Sequence, residues 1–299
     1  MGGNSAQLKF QRAKQCEFAY ARAIVVSLVL LQQAPAFALN LERAALHQFE
    51  DGPILPASHI FLPGETVFLS ARFKSYQISV SADEQRSVKM SWSVNVTDPA
   101  GIAVVPAKSG KIADTLSAQD KDWLPKLNVE FTVPPYAASG NYQISIVGID
   151  EVANSEVTSL VMVLVRGHAV DPSETLVVRN LHFLRSEQDR PPLEPVAFHP
   201  GDTLWARFDI TGYKFEKNNG YSVEYGLAVL RESGEQVFAQ PAAASDAHES
   251  FYPQRYVPGA LSLNLAANVP LGTYTLLVTV EDKIGREKVE TRGTFRVER

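Results

Sequence analysis

Gly140-Asn-Tyr-Gln-Ile-Ser-Ile-Val-Gly-Ile-Asp150 and Gly272-Thr-Tyr-Thr-Leu-Leu-Val-Thr-Val-Glu-Asp282 follow one pattern. A glycine opens each stretch, a tyrosine stands two residues later, apolar residues then alternate, and acidic residues close it. Alternation with a period of two puts one face of a strand on a core. A glycine at the opening suits a tight corner whose backbone angles other residues avoid. A tyrosine just inside the strand can give its hydroxyl to a backbone group at that corner. Both stretches therefore read as strands entering a β-sandwich, with Tyr142 and Tyr274 as structural corner residues that take no part in binding.

Working outward, the rest of the chain repeats as well. Pro63-Gly-Glu-Thr-Val-Phe-Leu-Ser-Ala-Arg-Phe-Lys-Ser-Tyr76 aligns without a gap on Pro200-Gly-Asp-Thr-Leu-Trp-Ala-Arg-Phe-Asp-Ile-Thr-Gly-Tyr213. Trp92, Val94, Val96 and Gly101 correspond to Tyr225, Leu227, Val229 and Gly234. Val129, Phe131 and Val133 correspond to Leu261, Leu263 and Leu265, and Val157, Val163 and Val165 to Val289, Phe295 and Val297. The spacing between halves drifts only slightly, as expected when loops change length and strands do not. Turn chemistry at Asp98-Pro-Ala-Gly101, Ser109-Gly110, Asn218-Asn-Gly220 and Ser233-Gly234 separates the alternating segments. No long stretch keeps a helical period. The predicted fold is all-β, two tandem immunoglobulin-like β-sandwich domains spanning 39–167 and 168–299. They divide between Arg166 and Ser173, where Gly and Pro interrupt two apolar strands.

Residues 1–38 stand apart from this pattern. Lys9, Arg12, Lys14 and Arg22 precede the apolar run from Ala23 to Leu31, and Ala36-Phe-Ala38 follows. That order predicts a signal peptide cleaved after Ala38, because the run is too short for a membrane span. The expected location is periplasmic or secreted, with no membrane span after cleavage. The only cysteine, Cys16, precedes the run, so burial alone must hold the mature chain. Cleavage removes Lys9, Arg12, Lys14, Arg22 and Glu17 from totals of 28 basic and 33 acidic residues, leaving a net charge of about −8. Such a balance argues against nucleic acid as a partner.

The Pro-Gly-[Glu/Asp]-Thr strand, the Asp-Pro-Ala-Gly turn and the Gly-x-Tyr strand resemble macroglobulin-like and other Ig-like modules of exported bacterial proteins. The resemblance covers most of residues 40–299 and implies a fold more than an activity. The thioester-forming cysteine of full-length macroglobulins has no counterpart here, and the chain is far shorter than their domain array. Protease trapping is not implied.

Catalytic signals are missing from the sequence. His47, His59, His168, His182, His199 and His248 lack zinc-protease spacing, and there is no Gly-x-Ser-x-Gly elbow or phosphate-binding glycine loop. No cofactor and no metal are predicted. Asp150-Glu151 and Glu281-Asp282 are the one place where weak calcium binding is considered, since calcium takes several oxygen ligands; hairpin solubility is the preferred reading.

The halves differ most in aromatic residues. Phe215 and Tyr221 flank an Asn-Asn-Gly turn, and a longer stretch from Gln240 ends in Phe251-Tyr252-Pro-Gln-Arg255-Tyr256 without a clear counterpart in the first half. Aromatics beside an arginine favour an interface. Phe215, Tyr221, Phe251, Tyr252, Arg255 and Tyr256 are therefore the predicted contact surface for a protein or glycan, the competing reading being a cap over the second core. The expected function is a non-enzymatic exported binding or structural module. A periplasmic two-sandwich chaperone and a carbohydrate-active hydrolase with an inter-domain site are the alternatives.

Overall fold

A computed structural model describes residues 38–299. The predicted signal peptide lies outside the described residues, apart from Ala38. The first sandwich comprises β1 (Asn40–His47), β2 (Ile60–Phe61), β3 (Thr66–Lys74), β4 (Ser79–Val80), β5 (Arg86–Thr97), β6 (Lys108–Leu116), β7 (Lys126–Thr132), β8 (Gly140–Asp150) and β9 (Ser155–Val165). The second comprises β10 (Val177–Leu184), β11 (Ala197–Phe198), β12 (Thr203–Thr211), β13 (Tyr221–Arg231), β14 (Gln236–His248), β15 (Tyr256–Asn264), β16 (Gly272–Asp282) and β17 (Glu287–Val297).

Each sandwich is built the same way. A three-stranded sheet, β1-β3-β7 or β10-β12-β15, faces a larger one, β2-β9-β8-β5 with β4 and β6 on β5, or β11-β17-β16-β13-β14. The pairs are antiparallel except β2 on β9 and β11 on β17, where a two-residue strand runs parallel to the last strand. This is the immunoglobulin-like arrangement of two antiparallel sheets packed face to face. Each sandwich encloses its own apolar core.

Backbone conformation repeats even where residue type does not. Positive φ occurs at Arg43 and Asn180, at Ser75 and Gly212, and at Asn154 and Arg286, each pair at equivalent positions. Arg43 and Asn180 sit at the same register shift in the pairing of the first strand. An arginine or serine in the left-handed region is disfavoured locally, so the surrounding ladder sets the conformation. Gly140 and Gly272 both have φ of 149°. Tyr142 Oη donates to the Ala138 carbonyl at 2.9 Å and Tyr274 Oη to the Pro270 carbonyl at 2.8 Å, the hydroxyl-to-backbone bond expected of a corner.

Core volume is conserved by exchange between neighbours. Phe73 lies against Gly148, where an added Cβ would stand 2.2 Å from the ring; the second core has Ile210 and Val280 at these places. Phe208 opposes Gly259 across β12 and β15, whereas the first core pairs Ala71 with Leu127. Close packing requires such compensation, because a lone change of volume leaves a void or a clash.

Two expectations change here. Ser109-Gly110 is not a turn but part of β6, where Gly110 leaves room for the Trp92 ring. Asp150 and Asp282 are fully buried, so the solubility reading does not hold for them. Asp150 accepts backbone N–H groups of Gln77, Val152 and Ala153, and Asp282 those of Lys214 and Ile284. Their oxygens tie the last hairpin to the end of β3 or β12, while Glu281 pairs with Lys283 on the surface. Among the described residues no group of three or more His, Cys, Asp or Glu is placed to hold a metal ion.

Candidate functional site at the junction of the sandwiches

Register fixes what meets at the ends. Thr66 opposes Thr132 and Gly140 opposes Val165, so one end of the first sandwich collects the start of β3, the ends of β7 and β9, and the start of β8. Thr97 opposes Gln143, which puts the Asp98 turn at the same end. In the second sandwich, Thr211 opposes both Val177 and Tyr256, so the opposite end carries the loop before β15. No strand covers 166–176, which joins the two ends.

Asp98 is the centre of the junction. Its Oδ1 accepts the N–H groups of Ala100 and Ile102 at 2.8 and 2.9 Å, which shapes its own turn. Its Oδ2 accepts Tyr252 Oη at 2.9 Å and Arg255 Nη2 at 2.7 Å, both from the second sandwich. Four donors on two oxygens use the acceptor capacity of an ionised carboxylate. The side chain is 1% exposed and Arg255 37%, so the ion pair has one dry and one wet member. Tyr252 packs among the residues of the first core, although its chain position belongs to the second sandwich. Burial, with Tyr142 and Asp98 close by, pushes its hydroxyl far above the usual phenol range.

A second cluster lies beside it. Tyr256 meets Tyr136 of the first sandwich edge to face at 5.6 Å and His168 of the connector at 5.3 Å. His168 Nε2 donates to Asp209 Oδ2 at 2.9 Å, which also accepts from Asn180 Nδ2 at 2.7 Å. Burial, with the charge of Asp209 adding to it, pushes the Tyr256 hydroxyl up to about 12.

The six residues predicted as a contact surface thus separate. Tyr252, Arg255 and Tyr256 lie at the junction of the sandwiches, and Tyr252 and Tyr256 are buried. Tyr221 is buried against Tyr213, and its hydroxyl donates to Asp246 at 3.0 Å. Phe215 and Phe251 remain exposed; Phe215 lies on Tyr213, and the Phe251 carbonyl accepts from Asn219 at 2.7 Å. The stretch 240–256 is no extra segment but the counterpart of β6 and the turn after it. Asp98, Tyr136 and His168 escape sequence reasoning because their partners lie on the other sandwich; only the charge of Asp98 opposite Arg255 offers a signal.

The second sandwich is not alone in its asymmetry. Leu160, Met162 and Leu164 form an exposed apolar stripe on β9, where β17 has Arg292, Thr294 and Arg296. Among the described residues no helix is long and apolar enough to cross a membrane.

No protein-family model matches the chain, and neither does any curated protein. Among solved structures, the C-terminal domain of the Streptococcus agalactiae antigen I/II polypeptide BspA is similar at 12% identity, covering 86% of this chain and 99% of that one, with a TM-score of 0.28. The C-terminal domain of the Streptococcus pyogenes antigen I/II-family protein AspA is similar at 9% identity over 88% and 100% of the two chains, with a TM-score of 0.31. Escherichia coli alpha-2-macroglobulin is similar at 10% identity over 87% of this chain and 22% of its own, with a TM-score of 0.25.

Proposed function

We infer that the protein is an exported, non-enzymatic binding module in which two Ig-like sandwiches act as one rigid body. Export rests on the basic, apolar and Ala-x-Ala order of residues 1–38, and the macroglobulin-like character on the motifs named above. One observation carries the mechanical part: the residues most suited by composition to a partner are spent on Asp98 across the junction. A buried carboxylate with four donors, two from each side, resists hinge motion, because bending would leave charged and polar groups without partners. The sandwich ends and the β9 stripe then present a partner with fixed geometry, which lowers the ordering cost of binding.

Scanning calorimetry of residues 39–299 tests this reading. A single transition with equal calorimetric and van't Hoff enthalpies is expected. Two resolved transitions would overturn the single-body reading.

A further inference from the structure

The seat that holds Tyr252 has an equivalent at the far end of the second sandwich, where the corresponding residues line a cleft. In the first sandwich Tyr252 joins the core cluster that also holds Val133, Ala137, the corner residue Tyr142 and Val165, all buried. Their counterparts, Leu265, Val269, Tyr274 and Val297, line a cleft of about 700 Å³ together with Val229, Phe238 and Pro270. Ladder position pairs Val104 with Val96 and Phe238 with Val229. Val104 is 2% exposed, whereas Phe238 is 43% exposed and lines the cleft. The two sheets also present unpaired edges here, β15 in one and β14 in the other.

We propose that this cleft receives an aromatic side chain from a protein partner, seated as Tyr252 is seated in the first sandwich. The occupant is argued from the junction itself: the same corner, at the same strand ends, already accepts a phenol ring from a neighbouring Ig-like module. Charge adds a second requirement. Asp98 stands where the second sandwich has Arg231, which lies opposite Tyr274 in register and pairs with the exposed Glu235. The first seat, with its carboxylate, takes an arginine beside the tyrosine; the second, with its guanidinium, takes a carboxylate beside the ring. The partner is therefore a protein loop carrying an aromatic residue next to an Asp or Glu. This deepens the binding reading above, and its failure would leave the calorimetric test of the junction untouched.

The probes are N-acetyl-Tyr-Asp-amide and N-acetyl-Tyr-Arg-amide, titrated into residues 39–299 and followed by amide chemical shifts. Saturable shifts confined to Val229, Phe238, Val269 and Tyr274 are expected at millimolar concentration, with Tyr-Asp several-fold tighter than Tyr-Arg. Phe238→Glu should abolish them while leaving the remaining spectrum in place, and Arg231→Glu should reverse the preference. In Tyr252→Ala/Arg255→Ala the emptied first seat should bind Tyr-Arg more tightly than Tyr-Asp. Absence of saturable shifts at the second cleft overturns the proposal, whatever the first seat does. So does equal binding of N-acetyl-leucine-amide, which would make the cleft a generic apolar surface, or saturable binding there of a glycan and not of the tyrosine peptides.

Discussion

Asp98→Ala removes the one group on which both sides of the junction converge. It leaves Tyr252 Oη buried without its acceptor, frees Arg255, and takes the side-chain acceptor from Ala100 and Ile102. A buried hydroxyl left unpaired costs about 1–3 kcal/mol, and hydrogen bonds to a charged group contribute about 1.5–3 kcal/mol each. Arg255 is partly exposed and regains water, and the exposed turn relaxes, so the contributions do not add in full. A loss of about 3–5 kcal/mol follows from the unpaired hydroxyl and the lost charge-assisted bonds, discounted for their overlap. Arg255→Ala should cost less, about 1–2 kcal/mol, because Asp98 keeps Tyr252 and its turn. Urea unfolding read by tryptophan fluorescence measures both. Trp92 and Trp123 flank the first core and Trp205 lies on β12, so Trp205→Phe isolates the first-sandwich signal. In Asp98→Ala the transitions of the two sandwiches should separate. A loss below about 1 kcal/mol, or Arg255→Ala costing more than Asp98→Ala, would refute the reasoning.

Alkaline pH should unfold the protein through its buried phenols. Burial raises Tyr142, Tyr213, Tyr221, Tyr225 and Tyr252, so the unfolded chain ionises first; stability is complete below pH about 10 and falls above it, by at most about 1.4 kcal/mol per pH unit for each tyrosine. Tyr252→Phe should flatten that decline in melting temperature between pH 10 and 12, and an unchanged slope would count against a buried neutral phenol. Gly148→Val should destabilise by about 1–3 kcal/mol or more through the clash with Phe73, and Phe73→Ile in the same chain should recover most of it, since Ile210 and Val280 already coexist. Tyr274→Phe should cost about 0.5–1.5 kcal/mol for one net hydrogen bond and Tyr274→Ala several times more through its cavity; an unchanged melting temperature for Tyr274→Ala would remove the corner assignment.

Fold and site differ in how far the sequence carries. Strand alternation and the Gly-x-Tyr corners are local signals, so the sheets and both tyrosine bonds are legible from residue order alone. The exchange of Phe208 and Gly259 for Ala71 and Leu127 is not, because each residue taken singly breaks the alignment and only the pair keeps the volume. The buried role of Asp150 and Asp282 is hidden for a related reason: an acidic pair at a hairpin looks solvated until the backbone of β3 or β12 is brought against it. Composition points to Tyr252, Arg255 and Tyr256 as contact residues for a partner, and the structure places them at the internal junction. Composition could not say that the interface lies within the chain, since a tyrosine and an arginine suit an internal junction as well as a foreign partner.

Residual dipolar couplings measured on residues 39–299 in a weakly aligning medium test the central claim, that the Asp98 junction makes the two sandwiches one body. Amides of 40–165 and of 177–297 should fit one alignment tensor with a common magnitude and rhombicity, and Asp98→Ala should split it in two. Separate tensors for the two sandwiches in the unaltered protein would contradict the account.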